Sequence, residues 1–119
     1  ILCQFCWGPC NLFTFRELED LVRATTGWQA TLWELMKAGE RRVTMQRQFN
    51  ARRGYAAAQD VLPQRLYEPL PDGPKAGQHV DREKFPAMLR QFYGMMGWDL
   101  QSGQPTEGKL VELGLDWAL

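Results

Sequence analysis

The sequence predicts an all-α fold, a multihelical domain with a long, ordered, proline-rich arm and no substantial sheet. Three observations carry this. Apolar residues recur at helical spacing in several windows. Thr14, Thr31, Asp81 and Thr106 precede those windows, and Gly27, Gly54, Gly97 and Gly114 follow them, as helix start and stop signals do. No alternating apolar–polar run of useful length argues for a strand.

Residues 1–13, ILCQFCWGPCNLF, are apolar and cysteine-rich. Gly8-Pro9 predicts a turn there, hence a compact loop. Thr14 opens the first helix, because Thr14 and Glu17 have capping-box spacing. Phe15, Leu18, Leu21, Val22 and Thr25 follow one face, and Gly27 ends the helix. Thr31 and Glu34 form a second capping box. The helix they open runs to Gly54 and is roughly 33 Å long at 1.5 Å per residue. Leu32, Leu35, Met36, Gly39 and Val43 predict its buried stripe, with Gly39 permitting a close helix crossing.

Residues 56–80 change character. Pro63, Pro69, Pro71 and Pro74 forbid a long helix. A free linker is short of apolar groups, yet Leu62, Leu66, Tyr67 and Leu70 stand here. They predict an arm laid across a surface and anchored by those four side chains. Asp81 caps the next helix. Its stripe is Phe85, Met88, Leu89, Phe92, Tyr93 and Met96, with Pro86 in or near the first turn and Gly97 as the stop. Asp99 to Pro105 is turn-rich, and Thr106 opens a short helix closed by Gly114. Trp28 and Trp98, each after a glycine, read as caps on the core at helix ends.

The length of 119 residues fits one domain. A formal net charge of zero gives no field favouring nucleic acid or a membrane surface. No apolar run approaches about 18 residues, so no membrane-spanning helix is expected. Cys3, Cys6 and Cys10 are the only cysteines. Three thiols without a pairing scheme favour a reducing, cytoplasmic compartment. Their C-x2-C-x3-C spacing suits iron–sulfur ligation better than a disulfide framework. A [4Fe–4S] cluster takes four thiolates, so this chain supplies part of a set or uses another ligand. The chain begins with Ile, and its first cysteine is the third residue. It reads as a piece of a longer protein.

Six segments carry a resemblance. They are Thr26-Gly27-Trp28, Gly39-Glu40-Arg41, Phe49-Asn50-Ala51-Arg52-Arg53-Gly54, Leu62-Pro63-x-Arg65, Glu68-Pro69-Leu70 and Gly97-Trp98-Asp99. In order and spacing the chain resembles the C-terminal end of tungsten-containing aldehyde ferredoxin oxidoreductases, from Cys3 to about Leu115. The resemblance implies that residues 1–119 are the C-terminal part of that enzyme's final helical domain. It implies a parent holding one [4Fe–4S] cluster and a tungsten or molybdenum bis-pyranopterin. The parent converts aldehydes to carboxylates and passes electrons to ferredoxin. Cys3 is then the fourth cluster ligand, and Leu2 and Cys3 lie at the pterin edge. Ile1 stands where the family's segment has Gly, a departure at the pterin contact. Catalytic residues lie upstream, with none in this chain.

On this reading Cys6 and Cys10 are small buried hydrophobes. The partners are the upstream domains and ferredoxin, with no nucleic acid and no membrane. Arg41, Arg42, Arg47, Arg52 and Arg53 read as a solvated helix face with contacts to neighbouring domains, and secondarily as a site for acidic ferredoxin. His79 has no partner at metal-ligand spacing and reads as structural. Ser102 belongs to no triad. The isolated chain is expected to bind no cofactor, to be inactive, and to self-associate through residues 1–13. Two other readings stand beside this one. One is an autonomous iron–sulfur electron carrier using Cys3, Cys6 and Cys10. The other is a metal-free helical interaction module.

Overall fold

The computed structural model describes residues 13–119. The expectations for Leu2, Cys3, Cys6 and Cys10, and for the cysteine-rich segment up to residue 12, lie outside the described residues. The described chain is helical, with one isolated antiparallel bridge, Trp98 to Pro105, and no strand. It divides into two compact units, Ile1–Glu40 and Arg41–Leu119.

In the first unit, helix α1 (Phe15–Thr26) begins at a reciprocal capping box. The Glu17 N–H donates to Thr14 Oγ1 at 3.3 Å, and the Thr14 N–H donates to Glu17 Oε2 at 2.7 Å. Two otherwise orphaned backbone donors are thereby satisfied. Gly27 ends the helix at φ 72°, a conformation that a Cβ disfavours. Helix α2 (Leu32–Arg52) starts the same way, at Thr31 and Glu34. The free Leu32 N–H donates to the Glu19 carboxylate, so α1 also caps α2. Leu18 and Ala30 are buried.

The expected stripes are only partly buried. Phe15 and Leu21 on α1, and Met36 on α2, are exposed, Met36 at 65%. Leu32 and Leu35 are half-buried. Among the described residues a Cβ on Gly39 would meet nothing within 4 Å, so no close helix crossing is made there among them. Trp28 is 46% exposed and caps no core. Helical spacing marks an apolar face, but burial needs a partner over the whole of that face, so spacing alone does not fix exposure.

The second unit holds the rest of α2, then α3 (Phe85–Met96) and α4 (Glu107–Glu112). Its core gathers at the C-terminal end. Leu110, Leu113 and Leu115 cluster, with Leu115 fully buried. Trp98, Tyr93 and Ala118 are also buried. Val43 and Phe92 lie exposed, and so does Met88.

Residues 56–80 are not one extended arm. Two 3₁₀ turns, Ala57–Gln59 and Gln64–Tyr67, interrupt the stretch. Beyond them the chain folds back on itself. The Val80 N–H donates to Leu66 O, Leu70 to Gln78 O, and Gly77 to Leu70 O. Leu62 and Tyr67 are half-buried, whereas Leu66 and Leu70 are exposed. The four-residue anchor is therefore corrected to two. Tyr67 packs edge-on against Phe85 at 6.3 Å and lies under the Arg82 guanidinium at 4.1 Å. Local backbone bonds, rather than burial, give this loop its shape.

Asp81 caps a turn that precedes α3. Its Oδ1 accepts from the Glu83 and Lys84 N–H groups at 2.9 and 3.2 Å. Pro86 then occupies the first turn of α3, where its missing N–H costs nothing. Gly97, at φ 68°, ends that helix. Thr106 caps α4, accepting from Lys109 N–H at 3.2 Å and donating to Gly97 O at 2.9 Å.

Candidate functional site

The second half of α2 carries the polar groups that organise its unit. Arg41, Gln48 and Arg52 share one face through the helical repeat. The Arg41 Nε–H donates to Leu113 O at 2.8 Å, and Nη2 donates to Gly114 O at 3.2 Å. Gln48 Nε2 donates to Ala118 O at 2.7 Å, and Arg52 Nη2 to Leu119 O at 2.6 Å. These donors satisfy carbonyls that α4 and the final 3₁₀ turn (Asp116–Ala118) leave open. Thr44 sits on the same helix, fully buried, and its Oγ1 has no hydrogen-bond partner among the described residues.

Arg47 reaches a different cluster. Its Nη1 and Nη2 grip Asp60 Oδ1 and Oδ2 at 2.9 and 2.6 Å. Its Nε donates to Gly103 O at 2.7 Å. The guanidinium carbon stands 5.7 Å from the Tyr93 ring centre and 5.4 Å from that of Trp98. The Tyr93 hydroxyl donates to Asp60 Oδ2. One carboxylate thus joins α2, α3 and the turn at residues 57–60, and the same arginine holds the 97–106 loop. Of the expected solvated arginine face, only Arg47 is withdrawn, half-buried and engaged inside the unit; Arg41, Arg42, Arg52 and Arg53 are exposed, although Arg41 and Arg52 also hold carbonyls.

Burial pushes the Tyr93 phenol up to about 12, with the Asp60 carboxylate adding to the rise. Burial alone would raise Asp60, but the hydrogen bonds from Arg47 and Tyr93 and the Arg47 charge outweigh it and hold the carboxyl below its ordinary value. Neither group changes protonation near neutral pH, which a general acid or base at that pH requires. The cluster clamps segments together and has no acid–base chemistry to offer. A groove of about 470 Å³ opens beside it, with Val43, Leu62, Phe85, Leu89 and Phe92 in its walls.

His79 lies in the loop before α3, its Nδ1 3.1 Å from Gly77 O, with no metal-ligand partner there. Ser102 belongs to a turn. Its Oγ donates to Asp99 Oδ1 at 2.7 Å, and its N–H donates to the same oxygen at 2.7 Å. Among the described residues no group of three or more His, Cys, Asp or Glu converges on a metal position. Those residues therefore do not fit a cluster or a tungsten centre, and every candidate ligand belongs to residues 1–12. No described helix is long and apolar enough to cross a membrane.

The Arg47–Asp60–Tyr93 cluster was not predicted from the sequence. Its members lie 13 and 33 residues apart. Arg47 was hidden in a run of arginines, and Asp60 was a single acid beside the proline-rich stretch.

The family model for aldehyde ferredoxin oxidoreductase, domains 2 and 3, matches residues 1–115. The chain belongs to the aldehyde ferredoxin oxidoreductase family. It is 38% identical over 115 residues to the tungsten-containing aldehyde ferredoxin oxidoreductase of Pyrococcus abyssi, covering 92% of this chain and 18% of that protein. It is 37% identical over 114 residues to the enzyme of the same name from Pyrococcus furiosus, covering 91% and 18%. Among solved structures it resembles the active site complex BamBC of benzoyl coenzyme A reductase in complex with 1,5 dienoyl-CoA. The TM-score is 0.69 at 24% identity, covering 89% of this chain and 14% of that one. That likeness concerns the fold. The chain spans 18% of the length of these curated relatives of the family.

Proposed function

We propose that residues 1–119 are the C-terminal part of the final helical domain of an oxidoreductase that converts aldehydes to carboxylates. The family match over residues 1–115 carries this reading. Cys3 supplies one ligand to a [4Fe–4S] cluster, and Leu2 and Cys3 edge a tungsten or molybdenum bis-pyranopterin. When bound, these groups would supply the redox chemistry, accepting the two electrons freed as an aldehyde and water become a carboxylate and three protons, for onward transfer to ferredoxin. The role of the described residues is scaffolding. The two α2 contact sets hold the C-terminal segments in place, without contributing a proton donor or acceptor to the reaction.

Aldehyde-dependent reduction of an artificial one-electron acceptor by the intact enzyme tests this. Cys3→Ser abolishes turnover on this account, while Cys6→Ser and Cys10→Ser preserve it. Full activity in Cys3→Ser contradicts the assignment. Loss in all three variants instead favours a cluster held by Cys3, Cys6 and Cys10 together, as the C-x2-C-x3-C spacing allows.

A further inference from the structure

A groove of about 630 Å³ runs between the second half of α2 and the final turn, lined by Met45, Phe49 and Trp117, with Gln48 and Arg52 among its polar members. Phe49 is 60% exposed and Trp117 65%. Large aromatic side chains gathered in an open groove mark a contact surface. Two of its polar side chains are engaged, since Gln48 donates to Ala118 O and Arg52 to Leu119 O, while Gln46 and Asn50 complete the polar lining. Arg53 lies over the Phe49 ring at 5.4 Å, at the edge of this apolar surface. The exposed Met45, Phe49 and Trp117 ask for apolar side chains from an occupant.

We infer that this groove docks an apolar segment of the domains that precede it in the same polypeptide. The inference rests on the reading above, in which this chain is part of a larger enzyme. Relatives matched over 115 residues devote only 18% of their length to them. A tethered segment meets the groove at an effective concentration on the order of millimolar. A second copy is the weaker occupant. Eight residues line the groove, against roughly 20–30 a side in a stable interface.

The test uses the intact enzyme with Trp117→p-benzoylphenylalanine, photolysed and mapped by peptide mass spectrometry, beside hydroxyl-radical footprinting of the unsubstituted enzyme. The expected crosslink joins position 117 to a peptide upstream of residue 1 in the same polypeptide. Phe49 and Trp117 should be labelled roughly fivefold more slowly in the native than in the denatured enzyme, as core interface positions are. A crosslink within residues 1–119 or to a second subunit overturns the inference. So does native labelling of Phe49 and Trp117 at the denatured rate. Footprinting needs no substitution, so a misfolded variant leaves the inference open to refutation. Iron content of the same enzyme reports on the Cys3 assignment separately, so the two can fail independently.

Discussion

Arg47 holds Asp60 with both arms of its guanidinium, Nη1 to Oδ1 at 2.9 Å and Nη2 to Oδ2 at 2.6 Å. The pair is mostly buried, with side-chain exposures of 11% and 26%. Such a bidentate pair is stronger and more directional than a surface ion pair. Removing one partner leaves the other charge poorly solvated. Asp60→Ala should therefore destabilise the chain by about 2–4 kcal/mol, since it also strips Tyr93 of its acceptor. Arg47→Met with Asp60→Val should cost less than the sum of the single changes. Urea denaturation of the four forms checks this, and additive losses would refute the coupling.

Stability should fall at both ends of the pH scale through this cluster. Asp60 is depressed below 3.8 in the folded chain. Its contribution is fully present above the unfolded value and is lost as pH drops through the folded one. Tyr93 is raised from 10.0 to about 12. Its contribution is present below about 10 and is lost as pH rises toward 12. Ultraviolet titration should show a phenol that ionises late, at about 12. Tyr93→Phe should remove that late step. A late step surviving in Tyr93→Phe would assign it elsewhere.

Gly103 and Gly114 should respond differently to alanine. Both have positive φ, 67° and 62°. At Gly103 a Cβ would lie 2.5 Å from Arg47 Nη2 and 2.6 Å from Tyr93 Cζ, whereas at Gly114 it would meet nothing within 4 Å among the described residues. Gly114→Ala should cost about 1 kcal/mol, the backbone penalty alone. Gly103→Ala should cost about 2–4 kcal/mol, because crowding against a packed cluster adds to that penalty. Equal losses in thermal unfolding would show that the cluster yields easily.

Thr44→Val should be neutral or stabilising, by up to about 1 kcal/mol. The Thr44 hydroxyl is fully buried with no hydrogen-bond partner among the described residues. Replacing an unsatisfied hydroxyl with a methyl of similar shape removes a desolvation penalty. A loss above that size in chemical denaturation would mean that the hydroxyl makes a stabilising bond.

Helix ends were legible in the sequence because they are local. Thr14 with Glu17, Thr31 with Glu34, and Gly27 and Gly97 all act within one turn, and each behaves in the structure as its type predicts. Packing was less legible. Leu66 and Leu70 are apolar, but a short backbone-bonded loop satisfies their segment without burying them. Arg41 and Arg52 are exposed as a solvated run requires, but the bonds that they and the half-buried Arg47 make were hidden, because the carbonyls of residues 103, 113, 114 and 119 are distant in sequence. Family membership was legible from ordered short motifs such as Phe49-Asn50-Ala51-Arg52-Arg53-Gly54, and the match over residues 1–115 agrees.

The most direct test of the cluster assignment is iron and acid-labile sulfide per polypeptide in the intact enzyme. Cys3→Ser is compared there with Cys6→Ser and Cys10→Ser. A lost ligand should release at least about a quarter of the cluster iron, one of four atoms. The account predicts that loss in Cys3→Ser, with both other variants at the unsubstituted level. Undiminished iron in Cys3→Ser, or equal loss in all three, would contradict it.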